Sequence, residues 1–308
     1  MDKLYEAVAA RGPVCVGLDT AIEYVPEKEH SNARSNPEAV FNYNCEIIDA
    51  TADIAACYKV QIAYYEEMGL EGLHAYSATL QYLHHKGALV IADIKRGDIA
   101  DVASRYARAH FEGDFETDFV TLTPYLGMDS VEPWIAWAEK KGKGAFVLMR
   151  TSNKGRRDFE ELEIKGGSPP LRRLYNAVGD KLLELAALHK GKYGYGAFGV
   201  VVGADPQSEE ERLAAAAIRS SYSELFFLIP GYGAQGGAAS DAALLLKSGN
   251  GGVVNASRSI LKAWQNCCAD GCHAGCNHGK ADNAFAAGAA RQAVIEMRDA
   301  LLKAAGRP

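Results

Sequence analysis

Seven consecutive residues, Asp93-Ile94-Lys95-Arg96-Gly97-Asp98-Ile99, hold two carboxylates and two cations at a spacing that could move protons. They follow the apolar run Ala88-Leu89-Val90-Ile91-Ala92. If that run is a buried strand, side chains two apart leave the same face, so Asp93 and Lys95 emerge together at its C-terminal tip as an ion pair. Asp98 then falls where the chain turns into the next helix, beside the same lysine or beside a neighbouring subunit. Crowding like and opposite charges in this way sets protonation states for proton transfer. A plain structural reading also exists: Asp98 as the N-cap of a helix starting near Ile99, and Asp93 with Lys95 as an ordinary salt bridge. Where the other polar residues fall decides between the two.

The elements that must position this stretch repeat along the chain. Short apolar runs at 14–18, 56–60, 89–92, 119–122, 145–149, 198–202, 225–229 and 252–254 alternate with helical patterns at 37–53, 66–85, 102–111, 130–140, 171–188, 208–218 and 238–246. Eight strand-helix units, each strand a continuous apolar run, predict a parallel (β/α)8 barrel of the α/β class. A further helix at 283–303 extends beyond the repeat, and no linker divides residues 1–308 into two domains. The length of 308 residues fits one such barrel, for which roughly 250 residues is typical.

Active sites of this fold sit at the C-terminal ends of the strands. Asp19, Lys59, Asp93 with Lys95, and Thr121 with Thr123 end the first four strands. Arg150, Thr151 and Ser152 end the fifth. Strand seven runs into Pro230-Gly231-Tyr232-Gly233-Ala234-Gln235-Gly236-Gly237, and strand eight into Asn255-Ala256-Ser257-Arg258. A glycine-rich loop there, with a serine and an arginine at the start of the next helix, is the usual place for a barrel to bind phosphate. Backbone N–H groups approach the anion, a helix N-terminus adds positive potential, and Arg258 can add a two-pronged hydrogen bond.

Composition narrows the class. With 48% hydrophobic and 23% charged residues the chain reads as an ordinary globular protein, and its net charge of −6 argues against a general nucleic-acid surface. No apolar run approaches the ~20 residues of a membrane span, and the N-terminus lacks the basic and apolar segments of a signal peptide, so a cytosolic protein is expected. The seven cysteines are an odd number, and Cys15, Cys45 and Cys57 sit in core-like contexts, which fits reduced thiols. The tract 267–278 holds cysteines and histidines, but at spacings that match no usual zinc pattern. It reads as a surface connection before the last helix.

Taken in order, V-G-L-D at Val16–Asp19, Y-K-V-Q at Tyr58–Gln61, D-I-K-R-G-D-I at Asp93–Ile99, T-P-Y-L-G at Thr123–Gly127, R-T-S-N at Arg150–Asn153, I-P-G-Y-G-A-Q-G-G at Ile229–Gly237 and S-R-S-I at Ser257–Ile260 resemble the orotidine 5′-phosphate decarboxylase family, in its longer-chain bacterial branch. The resemblance implies decarboxylation of orotidine 5′-phosphate to uridine 5′-monophosphate, the last step of de novo pyrimidine nucleotide formation, with no cofactor and no metal. It implies a charge network of Lys59, Asp93, Lys95 and Asp98, with Lys95 as proton donor to pyrimidine C6 and Asp93 beside the departing carboxyl group. It also implies a homodimer in which Asp98 reaches into the partner subunit's site. Asp19 and Lys59 match ribose contacts. Ser152 matches a pyrimidine contact linked to Gln235. Gln235, Gly236 and Arg258, with Ser257, belong to the phosphate end.

The chain departs from the family pattern twice. Val102 stands where the family often has a threonine that contacts ribose across the dimer, and the segment 153–170 is longer than in compact members. Two other readings remain. A magnesium-dependent sugar-phosphate decarboxylase or aldolase of the same superfamily shares D-x-K-x-x-D, and Ser152 with Gln235 separates it from the pyrimidine enzyme. A nucleotide-binding barrel without turnover would not require the intact lysine and aspartates.

Overall fold

The computed structural model describes residues 1–165, 171–188, 190–204, 206, 208–233, 238–269 and 282–307. Eight parallel strands close on themselves: β1 (Val14–Gly17), β2 (Cys57–Gln61), β3 (Val90–Arg96), β4 (Phe119–Leu122), β5 (Gly144–Arg150), then, after a two-stranded antiparallel hairpin of β6 (Glu163–Lys165) and β7 (Leu171–Arg173), β8 (Phe198–Val202), β9 (Phe227–Ile229) and β10 (Gly252–Ala256). Neighbours follow chain order, and β10 pairs with β1 to close the barrel. All eight strand runs expected from sequence are strands.

The continuous apolar runs arise because both faces of each strand are covered. Val14, Val16, Val90, Ala92, Val120 and Val200 belong to the outer core beneath the helices. Cys15, Cys57, Ile91, Phe119, Phe146, Phe226 and Val253, of opposite parity, form a second cluster that fills the barrel interior. Leu4 and Val8 join this inner cluster from the helix Asp2–Arg11, an element that no sequence pattern had indicated.

Helices Asn36–Thr51, Gly69–His85, Ala100–Phe111, Glu209–Ser221 and Ala239–Leu244 fall where expected, and the one expected at 171–188 begins at Leu174 because Leu171–Arg173 pairs with Glu163–Lys165 as β7. Local chemistry fixes their ends. Ser208 caps one by accepting from Glu211 N, with Glu209 to Glu211 in the positive first turn. The helix expected at 66–85 begins as a regular element only at Gly69, whose φ of 71° sets it off from the short helix Ala63–Glu66. The one expected at 130–140 begins at Ile135, since Pro133 withdraws an N–H and the chain first passes through 3-10 turns. The last helix, Asn283–Ala304, packs on Asn36–Thr51, and Arg291 clamps Asp53 with bonds of 2.6 and 2.8 Å. Among the described residues no helix is long and apolar enough to cross a membrane. Of the cysteine and histidine tract, residues 270–278 lie outside the described residues.

Candidate active site

The two-residue period that fills the interior also builds the site. One step above Cys57, Ile91, Phe119 and Val253 stand Lys59, Asp93, Thr121 and Asn255, and all four line a cavity of about 360 Å³ at the C-terminal rim. Asp19, Lys95, Ser152, Ser257 and Arg258 line it too. Sequence reasoning placed Thr121 and Asn255 on the rim but not among the site candidates. Their parity with Phe119 and Val253 was the available signal.

The charged residues form a single line. Lys59 Nζ donates to Asp19 Oδ1 at 2.9 Å and to Asp93 Oδ2 at 3.0 Å, and Lys95 Nζ donates to Asp93 Oδ1 at 2.7 Å. The Thr121 hydroxyl adds a bond of 2.8 Å to Asp93 Oδ1. Burial alone would raise the Asp93 carboxyl, but the Lys59 and Lys95 ammonium groups and the Thr121 hydroxyl outweigh it and hold Asp93 well below the ordinary carboxylate range. Burial likewise opposes the charge on Lys59, yet Asp19 and Asp93 hold it protonated, above the ordinary lysine value. Both are therefore fixed charges at neutral pH. Lys95 is different, with a side chain 47% exposed at the cavity.

The backbone aims that lysine. The β3–β4 register shifts between Ala92 and Arg96, and Lys95 has a φ of 43°. A non-glycine residue in this left-handed region costs on the order of 1–3 kcal/mol and persists only where its surroundings enforce it. Here Thr121 Oγ1 accepts both Ile94 N and Lys95 N at 3.0 Å, pinning the bulge. Asp93 and Lys95 thus share a face through a bulge, not through the regular strand that the sequence implied.

Asp98 is not an N-cap. The helix begins at Ala100 after Ile99, and among the described residues Asp98 Oδ1 accepts only from Ile99 N, at 2.8 Å. Among the described residues it has no ion pair with Lys95 of its own chain. Arg150, expected on the rim, is turned away because the β5–β8 register shifts between Leu148 and Arg150. It is buried against Glu161, at 3.1 Å. Thr151, Ser152 and Asn153 do reach the cavity. The chain passes there over Gly203, where a Cβ would lie 2.7 Å from the Ser152 backbone.

At the far side of the rim the loop after β9 turns through Gly231 and Gly233, with φ of 102° and 73°. Gln235 and Gly236, expected to hold substrate, lie outside the described residues. Arg258 is exposed and has no ion pair among the described residues. The helix it begins, Arg258–Leu261, is a single turn, so little of the helix-dipole potential expected there is available. Ser257, expected beside the phosphate, instead donates to Asp19 Oδ2 at 2.9 Å. No group of three or more histidine, cysteine, aspartate or glutamate side chains suited to a metal ion occurs among the described residues.

Comparison with known proteins finds relatives along nearly the whole chain. The model of the orotidine 5′-phosphate decarboxylase / HUMPS family matches residues 12–266. The chain is 51% identical over 303 residues to the orotidine 5′-phosphate decarboxylase of Clostridium perfringens strain SM101, covering 98% of each protein. The Clostridium tetani decarboxylase is 48% identical over 304 residues, covering 99% of this chain and 98% of that protein. Among solved structures, the OMP decarboxylase of Leishmania donovani superposes with a TM-score of 0.68 at 30% identity, covering 97% of this chain and 98% of that one.

Proposed function

The chain belongs to the orotidine 5′-phosphate decarboxylase family, and from that premise we propose how its rim residues divide the reaction. The enzyme removes CO2 from orotidine 5′-phosphate to give uridine 5′-monophosphate. The observation that carries our assignment of roles is the line Asp19, Lys59, Asp93, Lys95, which ends on a half-exposed ammonium at the cavity.

Breaking the bond between C6 and the carboxyl carbon leaves an electron pair in the plane of the pyrimidine, where the π system cannot share it. A fixed cation must stabilise it, and Lys95, anchored to Asp93, is that cation. An Nζ–H bond of Lys95 then breaks and its proton forms the new C6–H bond, after which solvent reprotonates the amine. Asp93 stays anionic throughout and faces the carboxyl group that departs. Asp19 and Lys59 bind ribose hydroxyls. Ser152 binds the pyrimidine edge together with Gln235, and Arg258 binds the phosphate with Gly236. Phosphate binding remote from C6 can lower the barrier if it closes loops over the substrate.

No cofactor is required, since the charge needed at C6 is supplied by the protein. Both cavity carboxylates are committed to Lys59, so a divalent cation would have to displace a buried ammonium to reach them. The enzyme acts as a homodimer in which Asp98 completes the line in the partner's site. The assay that tests the reading follows the ultraviolet absorbance of orotidine 5′-phosphate in EDTA: full turnover is expected. Activity lost in EDTA and restored by Mg2+ would favour the metal-dependent branch of the superfamily.

A further inference from the structure

Asp19 is held from two sides. Its Oδ1 takes the Lys59 ammonium, while Oδ2 accepts the Ser257 hydroxyl at 2.9 Å. Ser257 Oγ in turn accepts from Asn255 Nδ2 at 3.4 Å, and Asn255 Oδ1 accepts the Cys15 thiol at 3.6 Å. Every donor points the same way, from the barrel interior toward the carboxylate. A hydroxyl has one proton to give, and Ser257 gives it to Asp19. A phosphate at the same oxygen would have to take that proton from a neighbouring anion.

Gly17 makes the arrangement possible. A Cβ at that position would lie 2.0 Å from Ser257 Oγ and 2.9 Å from Asn255 Oδ1, so the missing side chain on β1 is the space in which Asn255 of β10 and Ser257 just beyond it meet. We infer that Ser257 and Asn255 are positioning residues for the ribose end of the site: they fix the Asp19 carboxylate, and through it Lys59, and take no part in holding the phosphate. This rests on the decarboxylase reading only for what Asp19 contacts.

The test compares orotidine 5′-phosphate with its 2′-deoxy and 3′-deoxy analogues and with phosphate-free orotidine. Ser257→Ala should lower kcat/KM for the full substrate by about tenfold, the scale of a lost hydrogen bond to a charged group. It should also narrow the preference for the intact ribose and leave the preference for the phosphorylated substrate unchanged. In an Asp19→Ala background the same substitution should cost less than about twofold, because its target is gone. Equal cost in both backgrounds, or a loss confined to the phosphate preference, would overturn the inference. If Ser257→Ala does not fold, Ser257→Cys keeps the size with a weaker donor and should show the same pattern in part. Dissociation constants of uridine 5′-monophosphate and its deoxy analogues give the same comparison without turnover, so failure of the decarboxylase reading and failure of this inference are read separately.

Discussion

The line Asp19, Lys59, Asp93, Lys95 and the cluster built on Arg150, Glu161, Arg156 and Glu211 both join cations to carboxylates beside the ends of barrel strands. In the cluster these four side chains are buried or nearly so, from 2% exposed for Arg150 and Arg156 to 16% for Glu211, while the exposed Arg157 and Arg173 join the same glutamates at its outer edge. Arg156 reaches Glu161 and Glu211 at 2.8 Å, and none of the four lines the cavity. The line, in contrast, ends on Lys95 with nearly half its side chain in the cavity. Burial and charge pairing are common to both. What distinguishes a reactive network is an end left open where a substrate can complete it. The cluster, closed to the cavity, fastens Arg156 and Glu161 to the helix Glu209–Ser221, and Arg156 also donates to Ser152 O at 3.4 Å beside the rim.

The comparison is broken most severely at the open end. Lys95→Ala should lower kcat by at least about a thousandfold while uridine 5′-monophosphate still binds, because the lost interaction is made mainly in the transition state. Stability should change little, as the side chain is half exposed. A kcat within tenfold of the wild-type value would remove Lys95 from the chemistry.

The closed cluster should answer in the opposite currency. Glu161→Ala removes one of the two carboxylates that buried Arg150 and Arg156 share among the described residues and leaves Glu211 between them, which costs on the order of 1–3 kcal/mol of folding stability. Thermal unfolding should move down by several degrees. The folded fraction should retain kcat within about tenfold, since no reacting group is touched. A large kcat loss at unchanged stability would make the cluster part of the site.

Sequence legibility divides along the same line. The barrel was readable because doubly buried strands give unbroken apolar runs, and Lys59, Asp93 and Lys95 because their motifs sit at strand ends. Arg150 misled, because a register shift of one residue reverses the face a side chain takes, and nothing in R-T-S-N marks the shift. The left-handed φ of Lys95 was equally invisible, being enforced by Thr121 from a different strand. The three-residue strands β6 and β7 are too brief to recognise, so that Leu171–Arg173 reads from sequence as the start of a helix, and Glu211, which Arg156 meets, lies far off in sequence. The Asp2–Arg11 helix was overlooked because it buries only Leu4 and Val8.

Arg258 belongs to neither network: it lines the same cavity as an exposed cation with no carboxylate of its own among the described residues. It should depend on substrate for its pairing. Arg258→Ala should raise KM for orotidine 5′-phosphate roughly a hundredfold and change turnover of the phosphate-free nucleoside little. Phosphite dianion should activate the wild type toward the nucleoside more than the variant. Equal losses on both substrates would make Arg258 structural.

On the helix Ala100–Phe111, His110 shows what a buried group without a charge partner does. Burial and the nearby Arg96 push its pKa down to about 4, below the ~6.5 of an unfolded chain. Between those values the unfolded state binds the extra proton, so this contribution to stability is complete above about pH 6.5 and is lost as pH falls toward 4. The loss should reach about 2 kcal/mol between pH 7 and pH 5, and His110→Leu should flatten that part of the curve. Asp93, held low, would contribute only below the unfolded carboxylate range near 4. An unchanged slope in the variant would assign the acid sensitivity elsewhere.

The smallest expected signal tests whether the open end is completed by a second chain. Asp98 makes no ion pair with its own Lys95, so if the line is extended by Asp98 of a partner, each site needs one residue from each subunit. A hybrid of Lys95→Ala and Asp98→Asn chains then has one doubly damaged site and one intact site. Random re-pairing of equal amounts makes half the dimers hybrid, so roughly a quarter of wild-type activity should reappear from two nearly inactive parents, given a two-fold symmetric dimer. If Asp98 serves its own subunit, every site in the hybrid carries one lesion and mixing restores nothing. Hybrid dimers confirmed by mass but no more active than the parents would close the line within one chain and make the two networks alike in being self-contained.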